Sequence, residues 1–204
     1  DCFGNAPTSA EHYTHTLALG SDEGKVFAAF KSNTRRNIRR AGAEGVEVKL
    51  LNSREAVADF FQLNCITRRD HGLPPQPWDF FQKIFDHIIA TRKGFVALVF
   101  HQGKPIAGAV FFYFRDEGVY KYGASDKDHQ HLRANNLIMW EAIQWCCQNG
   151  IRAFSFGRTE LENTGLLQFK RGWGAQENRI AYYRLSLKEN TFSAERNGIR
   201  SSYP

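Results

Sequence analysis

The chain holds 204 residues, 42% of them hydrophobic and 14% aromatic; that supplies one large domain with a substantial core and excludes a mostly disordered polypeptide. No apolar run approaches the ~20 residues that a membrane-spanning helix needs. The formal charge of +6 suits acidic partners such as nucleotides, tRNA, anionic precursors or anionic lipid, without choosing among them.

Asp1-Cys2-Phe3-Gly4-Asn5 has no Met, no basic stretch and no apolar run, so the chain reads as cut from a longer protein. Residues 1–24 are weakly patterned, with one strand expected over Thr14–Leu19 as the tail of a preceding unit. Phe27, Phe30, Thr34, Ile38 and Ala41 keep helical spacing, with Lys31, Arg35, Arg36, Arg39 and Arg40 on the other side. Gly42 and Gly45 end that helix, and Val46–Leu51 is a strand. Asn52 with Glu55 resembles a capping box for a helix that runs to about His71. The prolines of Gly72-Leu73-Pro74-Pro75-Gln76-Pro77 stop it, and Trp78, Phe81, Phe85 and Ile88 mark the next helix.

Three strands follow, Phe95–Phe100, Ile106–Phe114 and Val119–Ala124, joined by turns short enough to make them antiparallel. A long helix runs from Asn135 or Asn136 to Asn149, one of the two asparagines serving as N-cap. Ile151–Phe156 is a strand, Thr164–Arg171 a short helix and Ile180–Leu187 a last strand. The chain divides into an N-terminal segment (1–29), a domain (30–189) and a polar, loosely held tail (190–204). Its fold class is α/β, a mixed, mostly antiparallel sheet with helices on both faces.

Cys2, Cys65, Cys146 and Cys147 show no CxxC or Cys/His metal spacing and read as thiols of a reducing compartment. His129 and His131, two apart in a loop, lack a third ligand at metal spacing, so no metal site is expected. Arg35, Arg36, Arg39 and Arg40 make a basic face suited to tRNA or another polyanion; a solvated amphipathic face is the ordinary explanation of such a run. One of Tyr120, Tyr122, Tyr182 and Tyr183 lines a cleft and moves a proton, Tyr122 being the choice; aromatic core is the ordinary role of each.

Four stretches carry a resemblance. They are Arg35-Arg36-Asn37-Ile38-Arg39-Arg40-Ala41 leading into Gly45-Val46-Glu47-Val48; Thr67-Arg68-Arg69-Asp70-His71-Gly72-Leu73-Pro74; Ala134-Asn135-Asn136-Leu137; and Phe154-Ser155-Phe156-Gly157-Arg158-Thr159 followed by Gly165 to Gly174. Together, over about residues 30–187, they resemble the Fem-type branch of the GNAT superfamily, which includes peptidoglycan bridge-forming aminoacyl transferases. The resemblance implies a GNAT-like fold, the second of two such lobes, and transfer of an acyl or aminoacyl group onto an amine of a cell-envelope or peptide-like acceptor. It implies Lys170 as the electrostatic catalyst, and acceptor binding or packing of the first two helices for Arg68 and Arg69. From the residues themselves, Tyr122 is chosen as the catalytic partner, Arg158 at a strand end suits a substrate anion or a structural salt bridge, and of Asn135 and Asn136 the one that is not the N-cap faces the donor pocket. A preceding lobe or a second copy is the expected protein partner, and the cytoplasm or the inner membrane surface the expected location.

Two positions depart from the family pattern. Acetyl-CoA enzymes place a glycine-rich turn before the long helix, where backbone N–H groups hold the pyrophosphate. Here Asp126-Lys127-Asp128-His129-Gln130-His131-Leu132-Arg133-Ala134 has no glycine. No cofactor is therefore required, and aminoacyl-tRNA or acyl-CoA is the expected donor; an acyl-CoA enzyme would have to use Lys127 and Arg133 instead of backbone. Ser155 stands where many relatives carry Asp, which removes a carboxylate. The remaining alternative is a non-catalytic lobe that binds a partner.

Overall fold

Residues 94–101 dictate the layers. Phe95, Ala97 and Val99 are buried on one side and Val96 and Leu98 on the other, so this strand needs cover on both faces. In the structure, a computed structural model that describes residues 4–194, it has that cover. Strands β1 (Ala10–Ala18), β2 (Glu47–Leu51), β3 (Gly94–His101), β4 (Lys104–Phe114), β5 (Glu117–Ser125), β6 (Ala153–Glu160) and β7 (Gln176–Tyr182) form one sheet in the order β2-β3-β4-β5-β6-β1-β7. Helices α2 (Ser32–Ala43) and α5 (Ala134–Gln148) pack on one face through Ile38, Ala41, Ile138, Ala142 and Ile143. Helices α3 (Arg54–Asp70) and α4 (Trp78–Ile84, prolonged by a π turn over Phe85–Ile89) cover the other through Val57, Phe60, Leu63 and Phe81. Cys2 lies outside the described residues.

Every neighbouring pair is antiparallel except β5 and β6. Those two run parallel and pair only at Glu117–Ala153, Gly118–Phe154 and Val119–Ser155. Beyond that point β5 stays with β4 and β6 turns to β1, so the sheet opens into a fork. A bulge sits on each arm. On β5, Tyr120 faces Phe111 and Tyr122 faces Val110, leaving Lys121 as the extra residue. On β6, Phe156 and Gly157 oppose the single residue His15, with Gly157 at φ +70°, where a side chain is strained.

Several expectations are corrected. The helix read through Phe27–Ala41 is two, α1 (Glu23–Ala29) and α2, because Phe30 and Lys31 are extended and the Lys31 amide bonds the Gly172 carbonyl. The strand expected over Thr14–Leu19 starts earlier, and β1 pairs on both sides, with β6 and β7, inside the sheet of the domain. Helix α3 is capped by Ser53, whose hydroxyl accepts from the Ala56 amide, rather than by Asn52. The last strand stops at Tyr182, and β8 (Arg184–Ser186) pairs with β9 (Thr191–Ser193) as a separate hairpin reaching into the expected tail. No helix among the described residues is long and apolar enough to cross a membrane.

Candidate active site

Helix α6 (Thr164–Arg171) starts where the Asn163 side chain accepts from the Leu166 amide, and it turns Leu167 and Lys170 inward, three residues apart. Lys170 is 2% exposed, and its Nζ donates to the carbonyls of Gly157 (3.0 Å) and Arg158 (3.2 Å), on the β6 arm of the fork. The ammonium thus sits against β6 just beyond its last pairing with β5. Among the described residues no carboxylate forms an ion pair with it, and burial pulls its pKa from 10.5 down to about 8. Two of its three N–H bonds are used, and one remains to give.

Phe169, the preceding residue, lines a cleft of about 190 Å³ together with Ala107, Ser125, Asp126, His129, Arg133, Asn135 and Asn136. This cleft lies at the end of β5 and the start of α5. Neither asparagine caps α5, which corrects that expectation: the N-cap is Arg133, in the left-handed region at φ 57° and without a side-chain cap. Asn135 Nδ2 reaches Ser125 Oγ at 3.4 Å. Asn136 is 9% exposed, lines the cleft, and has no side-chain partner among the described residues.

The turn before α5 is a 3-10 segment, Lys127–Leu132, and it consumes its own donors. The Asp128 amide bonds the Asp126 carboxylate, the His129 amide the Asp126 carbonyl, and the Arg133 amide the Gln130 carbonyl. The Asp128 amide holds the Asp126 carboxyl below its usual range, and His129 Nδ1 adds a 3.0 Å contact. A backbone cradle for the pyrophosphate of CoA does not fit this segment.

The other expected site residues separate. Arg133 lines the cleft, whereas Lys127 points to Asp70 at 3.4 Å. Arg68 is buried, and its Nε donates to the Pro74 carbonyl, so it fastens the proline-rich break. Its neighbour Arg69 is exposed and without a partner among the described residues. Arg158 is exposed, donates to the Tyr182 hydroxyl at 3.1 Å and stands 5.6 Å over that ring. Tyr122 packs among Phe80, Phe81 and Phe112 on the α4 face. On the basic helix, Arg40 pairs with Glu44, Arg39 stacks over Phe27, Arg35 bonds the Ala28 carbonyl, and Arg36 is exposed.

Sequence reasoning missed the group beside Lys170. His15 is fully buried, with Nε2 2.8 Å from Glu177, and that carboxylate also takes both Nε (2.6 Å) and Nη2 (2.8 Å) of Arg171. Burial, opposed by Glu177, keeps the His15 pKa below its usual value. The signal was a pair of histidines, His12 and His15, inside a strand whose insertion between two others no local pattern announces.

A mixed sheet forked at its one parallel pair and covered by helices on both faces is a GNAT-like fold. The family model described as "Acetyltransferase (GNAT) domain" matches residues 28–171, and the chain belongs to that family. Within it, the chain is 27% identical over 136 residues to the UDP-N-acetylmuramoylpentapeptide-lysine N(6)-alanyltransferase of Weissella viridescens, covering 66% of this chain and 40% of that protein. It is 29% identical over 79 residues to a lipid II:glycine glycyltransferase of Staphylococcus epidermidis, covering 36% of this chain and 19% of that one. The crystal structure of FemX superposes with a TM-score of 0.73 at 15% identity, over 83% of this chain and 61% of that one. The chain therefore spans less than half the length of these curated relatives.

Proposed function

We propose that this chain is the acyl-transfer domain of an aminoacyltransferase that moves an aminoacyl group from aminoacyl-tRNA onto an amine of a peptidoglycan precursor. The observation that carries the reading is Lys170, a buried ammonium with no ion-pair partner among the described residues and one N–H to spare, at the fork beside the cleft. In the reaction the acceptor nitrogen attacks the ester carbonyl, the C–N bond forms, the C–O bond to the ribose breaks, and the proton lost by the amine ends on the ribose oxygen. No covalent enzyme intermediate is needed. Negative charge gathers on the carbonyl oxygen, and a fixed cation in a water-poor site stabilises it.

The self-satisfied turn at Lys127–Leu132 favours an ester donor over acyl-CoA. Arg133 and Asn136, which line the cleft, suit the donor's terminal phosphate and base, and Arg36 offers the longer polyanion an exposed cation. Arg69 suits the phosphates of the acceptor, whose membrane-linked forms put the reaction at the inner membrane surface.

A transfer assay with labelled aminoacyl-tRNA and a muramoyl-pentapeptide tests this. Label is expected on the peptide amine, and calorimetry with millimolar acetyl-CoA is expected to give no heat. Acetyl-CoA binding together with acetyl transfer would overturn the donor assignment, and no transfer from any donor would overturn the activity.

A further inference from the structure

We infer that Tyr120 is a second catalytic donor at the fork, its hydroxyl hydrogen-bonding the carbonyl oxygen of the group being transferred; the inference rests on the transfer reading above. Period-two counting puts Tyr120 and Tyr122 on one face of β5, but the extra residue Lys121 sends them to opposite faces. Tyr122 joins the aromatic packing under α4, and Tyr120 stays with Phe111 on the α5 face. The same bulge puts Gly123, three residues on, beside Tyr120. A Cβ at Gly123 would overlap the Tyr120 hydroxyl and lie 2.8 Å from its Cζ, so the phenol lies along β5 over that glycine.

Glycine in a strand interior weakens it, and such a glycine marks a close approach. What approaches here is a phenol aimed along the strand towards Ser125, which faces Ala107 and with it lines the cleft. The Tyr120 phenol is half-buried, and its hydroxyl has no hydrogen-bond partner among the described residues, so its proton is free to be donated to a ligand. Desolvation pushes its pKa up to about 12, so it remains a donor throughout the working range.

Gly157 links the two donors. A Cβ there would come 3.5 Å from the Tyr120 carbonyl, and its own carbonyl takes the Lys170 ammonium. Tyr120 on one arm and Lys170 on the other thus both adjoin Gly157, the first through its backbone carbonyl and the second through its ammonium. Sites that stabilise an oxyanion commonly present more than one donor to it, each worth a large factor in rate. Tyr120 exchanges no proton in this role; it only donates a hydrogen bond.

Tyr120→Phe keeps the ring and removes the donor. Its kcat is expected to fall at least ~10-fold with donor KM and melting temperature unchanged. In wild-type chain labelled with [13Cζ]tyrosine, the Tyr120 resonance, assigned by its loss in the Phe variant, is expected to move on adding an amide-linked aminoacyl-adenosine. Normal kcat in Tyr120→Phe alongside an impaired Lys170→Ala overturns this inference and leaves the transfer reading standing. Normal kcat in both variants sinks both. In a chain that does not turn over alone, a resonance that stays put with the analogue bound overturns the role.

Discussion

On one side of the fork, β2 to β5 bury hydrocarbon: Phe95 to Val99, Ile106 to Ala107, and Ala109 to Phe111 meet apolar helix faces above and below. On the other side, β6, β1 and the end of α6 bury His12, His15, Thr159 and Lys170. Among the described residues four buried side-chain polar atoms have no partner, and all lie there: His12 Nδ1, His15 Nδ1, Thr159 Oγ1 and Trp173 Nε1. Buried polar groups without partners cost free energy, and they gather where a site needs them. The apolar side supplies the stability that lets the polar side carry this cost.

The largest effect that can break this comparison belongs to the apolar side. Phe60 is fully buried against Phe81 and stands close over Gly108, so its truncation removes a ring packed on several sides. Phe60→Ala is expected to cost about 3–5 kcal/mol in denaturant unfolding while the folded fraction keeps its kcat. A loss below about 1 kcal/mol would show that this side is not the stabilising one.

Lys170 should behave in the opposite way. Lys170→Ala is expected to lower kcat by about 10²–10³. Activity that needs the ammonium falls on the alkaline side around the pKa of about 8 that burial gives it. Stability follows the same shift with a definite sign. The folded chain loses this proton near 8 and the unfolded chain holds it to 10.5, so wild-type stability rises with pH between those values. Lys170→Met should flatten that rise, measured as unfolding free energy against pH. A wild-type curve that falls across the window would refute the assignment of a destabilised ammonium.

The two sides also differ in how far they could be read from sequence. The apolar run Phe95–Phe100 and the short helix read over Thr164–Arg171 match β3 and α6 nearly to the residue, because the signal for each lies within a short window. The fork is different. Phe27, Phe30, Thr34, Ile38 and Ala41 keep one helical spacing across the α1–α2 break, which is imposed from outside by the Gly172 carbonyl. Tyr120 and Tyr122 lie two apart in the sequence, yet the extra residue Lys121 puts them on opposite faces of β5, which no count of residues along the strand announces. The place of β1 between β6 and β7 depends on pairing across more than a hundred residues. No short window contains it.

Gly157 offers the smallest and sharpest test, since it belongs to both arms. Its φ of +70° is the reason for glycine, and the space is not: a Cβ would meet only the Tyr120 carbonyl, at 3.5 Å, an ordinary contact. Gly157→Ala should therefore cost only about 1–2 kcal/mol, the usual penalty for a side chain in the left-handed region. Its carbonyl, however, is one of the two that hold the Lys170 ammonium. Any relaxation of the bulge towards regular strand turns that carbonyl away, so kcat should fall by a larger factor than on the apolar side for the same loss of stability. Urea melts and transfer rates on the same preparation separate the two. If activity falls only in proportion to the unfolded fraction, the bulge is scaffolding and the geometry of Lys170 does not depend on it.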